Sequence, residues 1–460
     1  MIERRPIRTA IIANNREYFS PVDKFLPDSV KPEFVESDFD EADMDIMWHG
    51  DDKIVLLPRE IDPEFIADIS QLFGFQNIRL IVPHETGAGL SMDVILDRGV
   101  FQAVVDAINE STDPQVIPLG HTPQFQNLRE DLVKVGAQFR TPETPIDEGL
   151  WTSDYLDTKV GSRELMLRIR AKYPELDIEI PEGFVCSNVG EALKKVDYFL
   201  ASNRGVVFKA NLGSAGIGVY VFTPESLDSP EKIVEMQRML QENQLFQNDK
   251  VIIEERIDAD FNHHGTYPSV DVIVKEDGSV EIQAVDAMAI HHTEEEVSFY
   301  GCIAGKGLFT PQQRQKLHDF TLAVGGELNE LGYRGWFDTD YILATDGQFF
   351  PTEVNLRRTS MCYAVDLAKL LYGEDWENVV SIRTNDKFIR QNLHGMTYGK
   401  LKETLADIMY PINGAQEGVI ITESMRSKFG RGKFGYLIFG DGQDRTKEIE
   451  EALEAKLEQV

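Results

Sequence analysis

The sequence predicts a mixed fold, an α/β layer followed by α+β regions, on three observations. Residues 1–148 alternate strand-like runs with helical periodicity, residues 203–222 set a glycine-rich loop between two strands, and residues 335–357 read as a tight hairpin. At 460 residues the chain is long enough for about three domains and for a large core without staples.

In the first 148 residues, strand-like runs occur at Arg8–Ala13, Lys53–Pro58, Asn77–Pro83 and Val116–Leu119, with a helical pattern at Met92–Ile108. That alternation argues a parallel α/β layer of the Rossmann-like kind. The Thr- and Pro-rich stretch Thr141-Pro142-Glu143-Thr144-Pro145 makes a plausible boundary, after which a region spanning 149–372 begins.

Asn203–Phe222, NRGVVFKANLGSAGIGVYVF, reads as a strand ending at Lys209, a loop with Gly213, Ser214, Ala215, Gly216 and Gly218, and a second strand. Small residues let backbone N–H groups approach phosphate oxygens, and the lysine supplies a point charge. A glycine-rich turn without a ligand reads the same way. The order is not that of a P-loop, because GxxxxGK[ST] is missing and a strand follows. Ser229–Asn248 carries a Ser cap and Pro at the first helical position, and reads as a helical elaboration within a central segment of about 180–258. Val251-Ile252-Ile253-Glu254-Glu255-Arg256-Ile257 is an apolar strand that turns acidic, an edge on which an adenine could lie.

The segment His291–Gly307 reads as a loop able to cover a site, with Lys306 and His291 as candidates to contact a carboxylate or deprotonate an amine; solvated loop residues fit the same pattern. Thr310-Pro311-Gln312-Gln313 signals a helix start. Leu317, Phe320, Val324, Leu328 and Leu331 follow at helical spacing and read as core, and Gly332 stops the helix.

Asp340–Ala344 and Phe349–Val354 are apolar, aromatic-rich runs joined by Thr345-Asp346-Gly347-Gln348, which carries the Asp-Gly turn signal. Residues two apart share a face, so Glu353 and Asn355 point the same way and pairing can bring Asp340 opposite them. Two carboxylates and an amide suit Mg²⁺, which prefers oxygen and completes its shell with water and phosphates. Asp338 adds an acid on the same face. Pro351 cannot donate a ladder hydrogen bond, so its strand is predicted to lie at an edge or to bulge.

Beyond Tyr372-Gly373 a tail of α+β character spans 373–460: strands at Gly418–Thr422 and Gly435–Gly440, a basic turn at Lys428–Lys433, and a charged helix at Arg445–Glu458. The basic turn reads as a solvated tip or as a carboxylate site.

The net charge of −32 repels polyanions, which argues against nucleic acid and anionic membranes as partners. Three widely spaced cysteines suggest neither a disulfide framework nor a zinc site and fit a reducing compartment. With no apolar signal core and no run of membrane-spanning length, a soluble cytoplasmic protein is the expectation; a homodimer is neither indicated nor excluded.

The order of a lysine strand, a small glycine flap, an acidic linker strand, a helix and an Asp...Glu-x-Asn hairpin resembles the ATP-grasp superfamily. The metal hairpin is the most specific part, standing as Asp340, Glu353, Asn355 and Arg357. The segment Asp340–Asn355 is similar to the hairpin of D-alanine:D-alanine ligases, and the helix with GYRGW to that of biotin carboxylases; Leu356–Ser360 departs from the turn of the former. The resemblance covers roughly 150–372, preceded by a pre-ATP-grasp domain, and the whole layout resembles the pheganomycin-type peptide ligases.

This resemblance implies ATP and two Mg²⁺ ions, with Mn²⁺ able to substitute. Asp340 and Glu353 would hold one ion, Glu353 and Asn355 the other. Lys159 and Lys209 would contact the nucleotide with Gly213, Ser214, Ala215 and Gly216, Glu254 and the backbone near Glu255 to Ile257 would bind adenine, and Arg357 would stabilise the transferred phosphoryl group. From the residues alone, Lys159 reads equally as a solvated helix-start lysine. The implied activity is a carboxylate–amine ligase acting on small-molecule or peptide substrates through an acyl phosphate; a kinase on a small-molecule hydroxyl and a nucleotide-binding regulator are the alternatives.

Overall fold

The computed structural model describes residues 6–26, 31–213, 216–247, 249–292, 297–425 and 432–460, and of residues 291, 292 and 297 the backbone alone. Among the described residues, sixteen strands form three sheets.

The first sheet is parallel, with strands β1 (Thr9–Ile12), β2 (Lys53–Leu56), β3 (Ile78–Ile81) and β4 (Gln115–Pro118) in the order β3-β2-β1-β4. The run Met92–Ile108 is not one helix. It is split into Leu90–Leu96 and Arg98–Asn109, because the Asp97 carboxylate leaves the first helix and caps the second, accepting from the N–H groups of Gly99 and Val100 at 3.1 Å each.

The second sheet is antiparallel, with β5 (Gly183–Cys186), β6 (Val206–Ala210), β7 (Val219–Phe222) and β8 (Val251–Glu255) in the order β5-β8-β6-β7. Phe199, Phe208, Phe246 and Ile253 fill the core beneath it. The segment read as Ser229–Asn248 forms a helix over Pro230–Glu242 and then a short 3-10 turn, Gln244–Phe246.

The third sheet holds β9 (Pro268–Val274), β10 (Val280–His292), β11 (Val297–Gly305), β12 (Gly335–Leu343), β13 (Phe349–Asn355), β14 (Ser381–Ile389), β15 (Gly418–Ile421) and β16 (Lys433–Gly440), ordered β13-β12-β9-β10-β11-β14-β16-β15. The region expected to be a covering loop, His291–Gly307, is mostly strand β11, paired to β10 on one side and β14 on the other. Gly301 permits this packing, since a Cβ there would lie 2.0 Å from the Thr384 carbonyl oxygen. The tail is no separate layer: β14, β16 and β15 extend the same sheet.

The helix Pro311–Glu330 covers this sheet. Its start is a capping box, with Thr310 and Gln313 satisfying each other's backbone donors. Leu317, Phe320, Val324 and Leu328 are fully buried against Val272, Phe337 and Tyr341, and Leu331 packs at the margin. A further core joins the first sheet to the tail, with Trp48, Phe65 and Leu128 in one cluster with Tyr363, Tyr398 and Leu437. Leu437 lies on β16, so this cluster packs the first region against the third sheet. No helix among the described residues is long and apolar enough to cross a membrane.

Candidate active site

The hairpin β12–β13 has the register that its alternation and Asp-Gly turn dictate: Asp340 faces Glu353 and Asp338 faces Asn355. β13 is an edge strand, and the register slips between the Asp340–Glu353 and Tyr341–Pro351 pairs. Pro351 is accommodated by both devices expected for it. The Val354 N–H donates to Ser162 Oγ at 2.7 Å and the Leu356 N–H to Asp157 at 2.5 Å, which fixes the hairpin to the helix Lys159–Lys172. Thr158 caps that helix by accepting from the Gly161 N–H at 3.1 Å.

The hairpin forms one wall of a cavity of about 680 Å³ that runs between the second and third sheets and the N-terminal segment around Trp48. Lys159 is not a solvated helix-start lysine. It is 7% exposed, lines the cavity and donates to Glu353 Oε1 at 2.6 Å. Lys209, next to the last residue of β6, donates to the Thr352 carbonyl at 3.3 Å and pairs closely with Glu254, whose other oxygen accepts from Arg163 Nη1 at 2.9 Å. Gly213 and Gly216 line the cavity beside these lysines. A side chain at Gly213 would strike the Ile217 carbonyl at 2.1 Å, and Gly216 has a φ of +92°. Ser214 and Ala215 lie outside the described residues. Glu255 and Ile257 line the same end, with the Glu255 carboxylate engaged by Arg204 at 2.8 Å.

Asn355 Nδ2 donates to Asp338 at 2.8 Å and to Asp340 at 3.1 Å, and Arg357 Nη2 reaches Asn355 Oδ1 at 3.4 Å. Burial, then the Asp271 charge, pushes Asp338 up to about 7; burial and the neighbouring Asp338 and Glu353 hold Asp340 well above the usual carboxylate range. Two buried acids share one amide donor and feel Arg357 only through charge, and an all-oxygen donor set of this kind fits a hard cation. Among the described residues, no three His, Cys, Asp or Glu side chains are gathered so as to hold a metal by themselves. Glu353 is turned to Lys159, so an ion here would draw on phosphate and water oxygens as well.

Sequence reasoning missed several residues that share the cavity. Asp271 on β9 faces Asp338 across the sheet, and Asp286 on β10 faces Ser269. Each is a lone acid in an apolar run, a signal the sequence did carry. Arg358 forks onto Glu143 at 2.7 and 2.8 Å, with Trp48 and Trp336 against its guanidinium at 4.6 and 5.0 Å. Asp45 and Asp386 line the end farther along.

The structure does not bring Lys306 to this site. It sits in the turn after β11, 47% exposed, paired with Asp441 at 2.6 Å and absent from the cavity lining. The side chain of His291 lies outside the described residues, as do residues 428–431 of the basic turn. Lys433, expected in that turn, is buried against Glu423 at 3.4 Å and Asp40 at 3.8 Å.

Comparison with known proteins bears on the fold. Residues 46–133 match the model of the pre-ATP-grasp domain family. A crystal structure of an N5-carboxyaminoimidazole ribonucleotide synthetase in its ADP complex superposes with a TM-score of 0.53 at 13% identity, over 99% of this chain and 98% of that one. The chain has an ATP-grasp fold. Biotin carboxylase from Campylobacter jejuni, solved with a β,γ-ATP ligand, superposes at 0.52 with 13% identity over 95% and 88%. The Aspergillus clavatus N5-carboxyaminoimidazole synthase, solved with ADP and 5-aminoimidazole ribonucleotide, does so at 0.52 with 11% identity over 98% and 99%. No curated protein matches the sequence.

Proposed function

We propose that the chain is an ATP-dependent ligase that activates a carboxylate as an acyl phosphate and couples it to an amine, releasing ADP and phosphate. The observation that carries this reading is that Lys159, Lys209 and the glycine flap share one cavity with Asp340, Glu353, Asn355 and Arg357. Cations for a triphosphate and oxygens for Mg²⁺ thus meet in one space. The neighbours solved with ADP, an ATP analogue and an aminoimidazole support it by analogy of fold.

In this reading Glu254, Glu255 and Ile257 form the adenine end, and Lys209 and Lys159 turn from their carboxylate partners to the phosphates. Asp340, Glu353 and Asn355 would hold Mg²⁺, which neutralises phosphate charge when bound. Arg357, held beside Asn355 with Phe19 5.2 Å from its guanidinium, stabilises charge on the phosphoryl group in flight. Positioning and charge neutralisation suffice, so no Ser or Cys nucleophile is needed.

An amino acid or peptide is the proposed carboxylate substrate, in line with the likeness of the chain's layout to pheganomycin-type peptide ligases. Division at about 148 and 372, into a substrate-enclosing first region, a nucleotide-binding middle and a C-terminal extension, is part of the same proposal. The cysteines Cys186, Cys302 and Cys362 are free and buried, which fits a reducing, cytoplasmic setting.

The deciding experiment measures ADP and phosphate release with Mg·ATP against amino acids and short peptides, singly and in pairs. Release that requires both a carboxylate and an amine, with a condensation product by mass, supports the ligase. Release with a single acceptor and a phosphorylated product overturns it.

A further inference from the structure

The end of the cavity away from Lys159 and Lys209 holds three acids that each keep one oxygen without a donor. Asp45, Asp286 and Asp386 are 2%, 1% and 2% exposed, and all three line the cavity. Asp45 Oδ2, Asp286 Oδ1 and Asp386 Oδ2 have no hydrogen-bond partner. Asp386 is held from its other oxygen by the Tyr363 hydroxyl at 3.0 Å, so its orientation is fixed while one oxygen stays unsatisfied. A buried carboxylate oxygen without a donor costs free energy that either a bound donor or protonation of the group offsets, and burial does push all three acids above the usual carboxylate range, Asp386 to about 7.

The cations at this end do not supply it. Arg358 gives its Nε and Nη2 to Glu143, and its Nη1, which has no partner, acts on Asp45 through charge and not through a hydrogen bond. Arg357 leans on Phe19 and Asn355. Lys387 stands 5.6 Å from the Phe299 ring, and it and Lys433 act on Asp386 at a distance while Glu41 opposes them. Asp286 lies on β10 and Asp386 on β14, with β11 between them. Two strand spacings separate them by at least about 10 Å across the sheet. That span suits an extended chain charged at both ends better than one compact ion. Met288, Cys302 and Met361 line the cavity as well and offer apolar contact to methylenes.

We propose that this end selects an amine substrate with a second positive charge, a terminal diamine or a lysine-like side chain, its reacting amine towards Asp286 and Arg357 and its distal ammonium towards Asp45 and Asp386. The proposal rests on the ligase reading for which amine reacts, but binding tests it separately. An acceptor that carries a phosphate brings no donor to these oxygens, and the anionic co-substrate is drawn instead to Arg357.

The test is calorimetric titration of the full chain, with Mg²⁺ and a non-hydrolysable ATP analogue, by 1,5-diaminopentane and by 5-aminopentan-1-ol. The two probes share length and reacting amine and differ in the distal charge. The diamine is expected to bind at least about tenfold more tightly, since it alone brings charged donors to the unpaired oxygens. In Asp45→Asn and Asp386→Asn variants that ratio should fall towards one. Equal affinities, no binding of either probe, or a ratio unchanged in both folded variants would overturn the proposal. If a variant fails to fold, the native ratio alone decides. If the diamine is preferred yet no carboxylate–amine pair drives ADP release, the ligase reading falls and the acidic subsite stands.

Discussion

The two ends of the cavity treat charge in opposite ways. At the end lined by Lys159 and Lys209 each lysine is matched to an acid on another element, Lys159 to Glu353 and Lys209 to Glu254, with Arg163 completing the second pair. At the far end Asp45, Asp286 and Asp386 keep oxygens that nothing in the chain satisfies. The first arrangement is self-neutralising, so the triphosphate and cation of the proposed reading would have to displace partners already in place. The second is not, so a bound cation would complete it. In a chain of net charge −32, these lysines form a local cationic site within a field that repels anions.

The largest effect is expected where the two ends meet. Glu353→Ala removes a proposed cation ligand and frees Lys159, and should lower the rate of ADP release about a thousandfold, or about 4 kcal/mol of barrier. Single-turnover kinetics with Mg·ATP would measure it, and a loss below tenfold would show that the hairpin does not act in the reaction.

Next is the buried Arg358–Glu143 pair beside the cavity. Glu143→Ala leaves a buried guanidinium between two tryptophans and should destabilise the protein by about 3–5 kcal/mol in denaturant unfolding. The same pair gives a pH signature. Burial opposes ionisation of Glu143, but Arg358 and His49 overcome it and hold the carboxyl at about 2, below its ordinary value near 4.5. Its contribution is therefore full above about pH 4.5 and is lost as pH falls towards 2. Unfolding midpoints of Glu143→Gln should accordingly change less than those of the native chain between pH 5 and pH 3.

Smaller still is the loss of one phosphate cation. Lys159→Ala should raise the KM for ATP about tenfold, the scale of one charge-assisted hydrogen bond. An unchanged KM would mean that Lys159 serves only to neutralise Glu353. Lys306→Ala should leave ADP release within about twofold of native, because its partner is the exposed Asp441 and it does not reach the cavity.

How far the site could be read in advance depended on the distance between partners along the chain. The Asp340–Glu353 pairing was legible because alternation, a turn dipeptide and a proline all constrain one short hairpin. The helix Pro311–Glu330 was legible for the same reason, its cap and buried stripe being local. Asp271 and Asp286 were visible as acids inside apolar strands, but nothing local said that their strands neighbour β12. His291–Gly307 was read as a loop because its small and polar residues lack a strand's alternation, while pairing on both sides makes most of it a strand.

By itself the sequence determined which residues make the strand, flap and hairpin, and which side chains share a face, because these follow from backbone periodicity, turn conformation and capping within a few residues. Tertiary structure alone decided that Lys159 meets Glu353 194 positions away and that Arg358 meets Glu143 215 positions away. It also decided that Asp45 from the first region and Asp386 from the tail close one cavity with Asp286. Those meetings depend on how three sheets pack, and packing is fixed by the joint burial of apolar faces that no short segment encodes.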